Sequence, residues 1–276
     1  MDFTEILNIN KVMLLKNKNA VIYGAGGAIG GAVARAFALA GARVFVTGRK
    51  KQPLDDLVKD IVKSGGRAEM ALVDALDEQV INKHLDTIVG QAGPIDISFN
   101  AVGIAHTGIQ GIPIVDLPVG NYMLPILTYA KTNFLTAKAA ARHMLLNKSG
   151  VILTITATPA RLAYPQVGGM PASWAAIEAL SRNLAAELGP QGIRVNCIRS
   201  NGIPETPLLK EVMPLHAKVF GMPDFLEFQA VIESKTLSKE LPKLTDIANW
   251  AVFMASDQAQ AMTGSIINLT CGEIVD

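Results

Sequence analysis

The sequence predicts an α/β protein: a single domain built on a doubly wound parallel sheet with helices on both faces. Three observations predict it. Short runs rich in Val and Ile alternate with longer runs whose apolar residues recur every three or four positions, along nearly the whole chain. Glycine clusters mark several of the junctions between such runs. Half of the 276 residues are hydrophobic and 18% are charged, which allows a large buried core and argues against a disordered chain.

The elements follow in order. Residues 1–13 are an extension without a readable pattern, and the domain spans 14–276. "NAVIYG" (19–24) reads as a buried strand and "AIGGAVARAFALAG" (28–41) as a helix with Ile29, Val33 and Phe37 on one face. "ARVFVTG" (42–48) is a strand. "PLDDLVKDIVKSGG" opens on Pro53 and closes on Gly65 and Gly66, as helices do. A strand over 67–74, a helix over 77–92 and a strand over 94–103 come next. A long helix spans about 122–146, a strand 150–156, a helix 168–189 and a strand 192–198. Residues from about 207 to 240, "PLLKEVMPLHAKVFGMPDFLEF" onward, interrupt the alternation as an apolar, Pro-containing insertion that reads as a lid. A last helix and strand close the chain.

Charge and cysteine usage exclude several functions. The net charge is +1 with no basic block, so neither nucleic acid nor an anionic membrane surface is an expected partner. No apolar run reaches the roughly 18 residues of a membrane helix. Cys197 and Cys271 are the only cysteines and lack metal-ligand spacing, so reduced thiols, no metal and a cytoplasmic location are expected. Asp2 and Glu5 at the start of the chain argue against a signal peptide.

"VIYGAGGAIGGAVARAF" places Gly24, Gly26, Gly27 and Gly30 between a strand and a helix. Glycines let the backbone approach a pyrophosphate, and the helix N-terminus offers free N–H groups and its dipole. The spacing is not G-x-G-x-x-G, since Ile29 holds the third place, and a plain glycine turn is the alternative. The second strand ends "VTGRK". Where NAD-binding folds place an acid for the ribose 2′-OH, this chain offers Gly48, Arg49 and Lys50. A guanidinium suits a 2′-phosphate, so NADP(H) is the expected cofactor. The alternative makes Arg49 and Lys50 solvated surface charges.

Over about residues 14–272 the chain resembles the short-chain dehydrogenase/reductase family. The loop T-G-x-x-x-G-x-G is matched by Tyr23, Gly24, Ala28 and Gly30, with alanine for the middle glycine. Asp74, followed by Ala75, matches the aspartate that meets the adenine. "FNAVG", with Asn100, Ala101 and Gly103, resembles the family's N-N-A-G turn. "GIRVNCIRSNGIPETP" resembles the segment whose equivalents of Ile203 and Thr206 hold the nicotinamide amide, with Ser200 and Asn201 replacing Pro-Gly. The resemblance implies a Rossmann-type sheet, a nicotinamide cofactor and a homo-oligomer, expected as a tetramer through the two long helices. "FLTAKAAARHM" and "EALSRNLAAEL" on those helices are rich in alanine, which allows close approach.

The same resemblance raises a difficulty. The flank "ASWAAIEALSRNLAAELGPQGIRVN" fixes a register in which Met170 stands at the family's catalytic tyrosine and Trp174 at its lysine. Counting back puts Ala157 at the serine, and Tyr129 falls at the asparagine, with Asn133 one turn away. None of Ala157, Met170 and Trp174 can do acid–base chemistry, so they are expected only to line the substrate site. Three readings remain. The first is an NADP(H)-dependent oxidoreductase with a non-standard site, using Tyr164 or Tyr129 as proton donor with His106 near the substrate; the alternatives are a loop-packing Tyr164, a core Tyr129 and a surface His106. The second is an NADP(H)-binding sensor or scaffold without redox chemistry. The third is a non-redox enzyme using the apolar pocket. Leu208, Leu209, Met213, Phe220, Met222, Phe225 and Phe228 in the insertion suggest a hydrophobic small-molecule substrate.

Overall fold

The computed structural model describes residues 13–275; the sequence extension therefore lies outside the described residues apart from Met13. Seven strands form one parallel sheet: β1 (Asn19–Tyr23), β2 (Arg43–Gly48), β3 (Arg67–Leu72), β4 (Ile97–Asn100), β5 (Gly150–Ala157), β6 (Ile193–Ser200) and β7 (Ile266–Leu269). Their order is β3-β2-β1-β4-β5-β6-β7. Strand order reverses between β1 and β4, which pair with Tyr23 opposite Asn100. That reversal opens a crevice at the carboxyl ends of the strands, the usual ligand position in such sheets.

The helices are α1 (Ala28–Leu39), α2 (Lys51–Lys63), α3 (Glu78–Ala92), α4 (Val119–Asn147), α5 (Met170–Leu188), α6 (Pro207–Val219), α7 (Phe225–Lys235) and α8 (Leu244–Ala255). Side chains alternate along each strand, so one face of β1 carries Ala20 and Ile22 and the other Val21 and Tyr23. Ile22, Val44, Val46 and Phe99 pack with Phe37 of α1 and with Ile247, Ala251 and Met254 of α8. Phe37 meets Phe99 edge-on, with centroids 6.5 Å apart. On the other face, Val21, Phe45, Ile152 and Val195 pack with Ile81, Leu85 and Ile88 of α3 and Leu135, Ala140 and Met144 of α4.

The structure moves several expected boundaries. α2 begins at Lys51, two residues before Pro53, because a proline in the first turn removes only an N–H that has no helical partner. β4 covers 97–100 rather than 94–103, since the chain turns out of the sheet at Asn100. α4 starts three residues earlier than expected and contains Pro125. The insertion folds as two helices, α6 and α7, held together by Met213, Ala217, Phe228 and Leu241. Phe228 stacks on His216 and Phe220, at 5.8 and 5.4 Å.

Candidate active site

The loop after β1 leaves the sheet at Gly24, where φ is +71° and a Cβ would lie 2.5 Å from the Ala101 carbonyl oxygen. Only glycine fits both conditions. Gly30, one turn into α1, packs against Gly24, and a Cβ there would lie 2.5 Å from the Gly24 oxygen. Gly27 caps α1 without a side-chain hydrogen bond, so the first-turn N–H groups stay open toward the crevice. A Cβ at Gly26 would touch only side chains, Pro53 at 3.3 Å and Leu54 at 3.9 Å. Ile29 follows on the cavity wall.

The remaining expected cofactor positions lie along the same edge. Arg49 and Lys50 are exposed at the end of β2. Asp74 is exposed and its Oδ1 accepts from the Leu76 N–H at 3.0 Å, while Ala75 beside it is buried. Asn100 is buried; its Oδ1 accepts from the Val102 N–H at 3.0 Å and its Nδ2 donates to Thr136 Oγ1 at 2.9 Å. Those two bonds fix the turn through Ala101 to Gly103, whose α-carbon faces open space. Ile203 and Thr206 are both buried, and the Thr206 hydroxyl donates to the Ile203 carbonyl at 2.8 Å. An uncapped helix N-terminus, an open glycine face and a buried amide turn at one crevice fit a nicotinamide dinucleotide.

Beyond the turn lies a cavity of about 260 Å³. Ala157, Trp174, Tyr129, Tyr164 and His106 line it, under a cover of α6 and α7 side chains such as Leu209 and Phe228. Met170 does not line it, contrary to the expectation from sequence. It is fully buried behind the wall, in a cluster with Ile109, Tyr129 and Ile177 against which Trp174 packs. Gly169 abuts the Tyr122 carbonyl of α4, and this close packing sets the first turn of α5 against α4 and encloses Met170. His106 is not the surface residue of the alternative reading; it is buried.

Among known proteins, residues 24–273 match the family model described as enoyl-(acyl carrier protein) reductase. An uncharacterized oxidoreductase of Bacillus subtilis is 32% identical, covering 94% of this chain and 91% of that protein. The 7alpha-hydroxysteroid dehydrogenase of Escherichia coli is 30% identical, covering 94% and 95%. The crystal structure of a short-chain type dehydrogenase/reductase from Mycobacterium marinum superposes with a TM-score of 0.81 at 27% identity over the full length of both chains. This chain belongs to the short-chain dehydrogenase/reductase family.

Within that family's architecture, the electrostatics of this cavity are set by burial. Burial pushes the Tyr129 phenol up to about 12; its oxygen accepts from the Ile104 N–H at 3.4 Å. Tyr164 is also raised, first by burial and then by the Glu273 carboxylate to which it donates. His106 is lowered to about 4, chiefly by burial. Its Nδ1 accepts from Gln110 Nε2 at 2.8 Å, and Gln110 Oε1 accepts from His216 Nε2 at 2.8 Å. Under the cavity floor, Arg199 grips Glu178 at 2.8 and 2.6 Å, and Thr156 donates to the same carboxylate at 3.0 Å.

Sequence reasoning missed Gln110, His216 and the Glu178–Arg199 pair. Glu178 had a readable signal, since it stands one helical turn after Trp174 on the same face. Gln110 and His216 had none, being 106 residues apart. Among the described residues no helix is long and apolar enough to cross a membrane and no acidic, His or Cys cluster could hold a metal.

The histidines make stability depend on pH. His84, His106 and His216 are all lowered by burial. An unfolded histidine takes up its proton near pH ~6.5, whereas these stay neutral to lower pH in the folded chain. Their contribution is complete above that pH and is lost as pH falls toward 4, the value to which His106 is lowered. We expect the urea midpoint to drop between about pH 7 and about pH 5, and His106→Gln to flatten that slope. An unchanged slope in the variant would contradict the neutral, buried His106.

Proposed function

We propose that the chain is an NADP(H)-dependent oxidoreductase with a non-standard active site, acting on a hydrophobic small molecule. One observation carries the reading. Gly103, Ile203 and Thr206 line the cavity, which supports a place for the nicotinamide side of the cofactor beside the phosphate loop. A protein that recognised only ADP-ribose would not need it. Bound cofactor supplies or accepts the hydride. The family's serine, tyrosine and lysine positions hold Ala157, Met170 and Trp174 in the register given above, so proton transfer falls to another group.

Tyr129 suits that role better than Tyr164. The Tyr129 oxygen accepts a backbone N–H, which leaves its own proton directed elsewhere, whereas the Tyr164 proton is held by Glu273. Both phenols stay protonated at neutral pH and can give a proton to a substrate oxygen. A panel of apolar ketones and enones tests this by loss of NADPH absorbance. Tyr129→Phe should lower kcat/KM by roughly 10²–10⁴, and Tyr164→Phe by far less. Equal losses in the two variants would count against Tyr129. The raised phenols also favour a second reading, an NADP(H)-binding sensor or scaffold, and no turnover across the panel would favour it over the enzyme.

Arg49 supports the choice of cofactor, since it is exposed at the ribose end where an acid would select NAD(H). We expect NADPH to bind at least tenfold tighter than NADH, and Arg49→Ala to remove most of that gap, about 1.4 kcal/mol. Trp174 fluorescence, quenched by cofactor, reads both titrations, and equal wild-type affinities would sink the preference.

A homotetramer is supported by an exposed stripe. Leu124, Leu127 and Phe134 of α4 are solvent-facing, as are Ala172, Ala175, Ala176 and Ala179 of the neighbouring α5. Such a patch is characteristic of an interface. Light scattering should give a four-chain mass, and Leu127→Glu with Phe134→Glu should reduce it. A monomer mass for the native chain would contradict the proposal.

A further inference from the structure

Gln110 joins two histidines from different parts of the chain. His106 stands one turn before it in the loop after β4, and His216 lies in the last turn of α6. All three side chains are buried. The amide has one acceptor end and one donor end. Its Oε1 lies 2.8 Å from His216 Nε2, which therefore carries a hydrogen. Its Nε2 lies 2.8 Å from His106 Nδ1, which therefore carries none. Each group in the chain donates in one direction, from α6 toward the loop.

That order tolerates a proton at one end and not at the other. His216 can take a second hydrogen on Nδ1 and keep its bond to Gln110. His106 already holds its hydrogen on Nε2, so a second one goes to Nδ1, against the Gln110 NH₂. Turning the amide over only moves the conflict, since its NH₂ then faces His216 Nε2–H. With both rings charged, no orientation of the amide suits both neighbours, and one of the two bonds is lost. The other polar tie between α6 and this loop, Glu211 on Thr107, is exposed. Leu209, Val212 and Met213 of the same helix line the cavity.

We propose that the His106–Gln110–His216 chain is a proton-operated latch: charging both rings releases α6 and α7 from the loop over 104–110 and opens the cavity while the sheet stays folded. This concerns the cover alone and holds whichever ligand the cavity takes. Of the groups around the rings, Glu211 of α6 favours a charged His106 and His216 opposes it. α7 presents an uncharged ring, Phe228, to His216. On the other walls of the cavity, Tyr129 of α4 and Tyr164 of the loop after β5 are phenols that burial keeps neutral.

Burial lowers both histidines in the closed chain, His106 to about 4. An open cover returns them toward the ordinary value of ~6.5. The closed form is therefore fully favoured above ~6.5. As pH falls from there toward about 4, the ratio of open to closed chains rises by about tenfold per pH unit through His106 alone.

The test uses the full chain carrying Trp250→Phe, which leaves Trp174 on the cavity wall as the sole tryptophan. Acrylamide quenching of Trp174 should rise by about threefold or more between about pH 7 and about pH 4.5. Hydrogen exchange, corrected for the intrinsic rate at each pH, should lose protection over 207–235 before it does over β1 and β5. His106→Gln should show neither change. Gln110→Glu offers a carboxylate that accepts from both charged rings, so it should invert the response and hold the cover more firmly at the lower pH. If Gln110→Glu does not fold, His106→Gln decides. Loss of protection in strands and cover together overturns the local release, as does unchanged quenching in the chain with native His106 and Gln110. An acid response that survives His106→Gln, or that Gln110→Glu shares, overturns the latch.

Discussion

The active-site crevice is organised by the contact between Gly24 and Ala101. Two parallel strands, β1 and β4, end side by side, and the chain must leave both in opposite directions. The Ala101 N–H still donates to the Tyr23 carbonyl at 3.0 Å, which holds the two exits together. Gly24 then turns away at φ +71° with no room for a Cβ. Its turn sets the start of α1, which Gly30 packs down against it. The Asn100 bonds set the other side. A substitution at Gly24 would combine a strained backbone with a backbone collision, and neither can be relieved by moving a flexible side chain.

Next to that rigid edge, the cavity is defined by the absence of ionised groups from its lining. Burial raises Tyr129 and Tyr164 and lowers His106 and His216, so all four keep their neutral forms around pH 7. Charged groups meet it only through its lining, as where Glu273 accepts from the Tyr164 hydroxyl. Glu178 and Arg199 neutralise one another beneath the floor, with a forked geometry and an added bond from Thr156. Breaking such a pair from one side leaves an uncompensated buried charge, which costs about 3–5 kcal/mol. The pair therefore ties α5 to β6 under Trp174.

The fold was legible in the sequence because it is written in local periodicity. Strand runs, helical runs and the glycine turn after β1 each declare themselves within a dozen residues. Boundaries slipped where the local signal is weak: Pro53 within the first turn of α2, and Asn100 leaving the sheet before the glycine that seemed to end the strand. The site was legible only in part. Spacing put Met170 and Trp174 one turn apart on α5, yet Trp174 borders the cavity and Met170 lies behind it. Helical spacing gives a shared face about 100° wide, and which side of that face meets a pocket is decided by the neighbour, here α4. The His106–Gln110–His216 chain was not legible at all, since it joins the turn after β4 to α6 across the tertiary fold.

That chain also explains how the insertion belongs to the site rather than merely covering it. Glu211 of α6 accepts from the backbone N–H of Thr107 at 3.1 Å and from its hydroxyl, one residue after His106. His216, little more than one turn further along α6, reaches Gln110. The two contacts grip the same short loop at both ends, so α6 cannot shift without releasing the loop that aims His106. The first contact is exposed and contributes little alone, as surface polar contacts do. The second is buried and directional, and losing it leaves polar groups without partners, at about 1–3 kcal/mol for each.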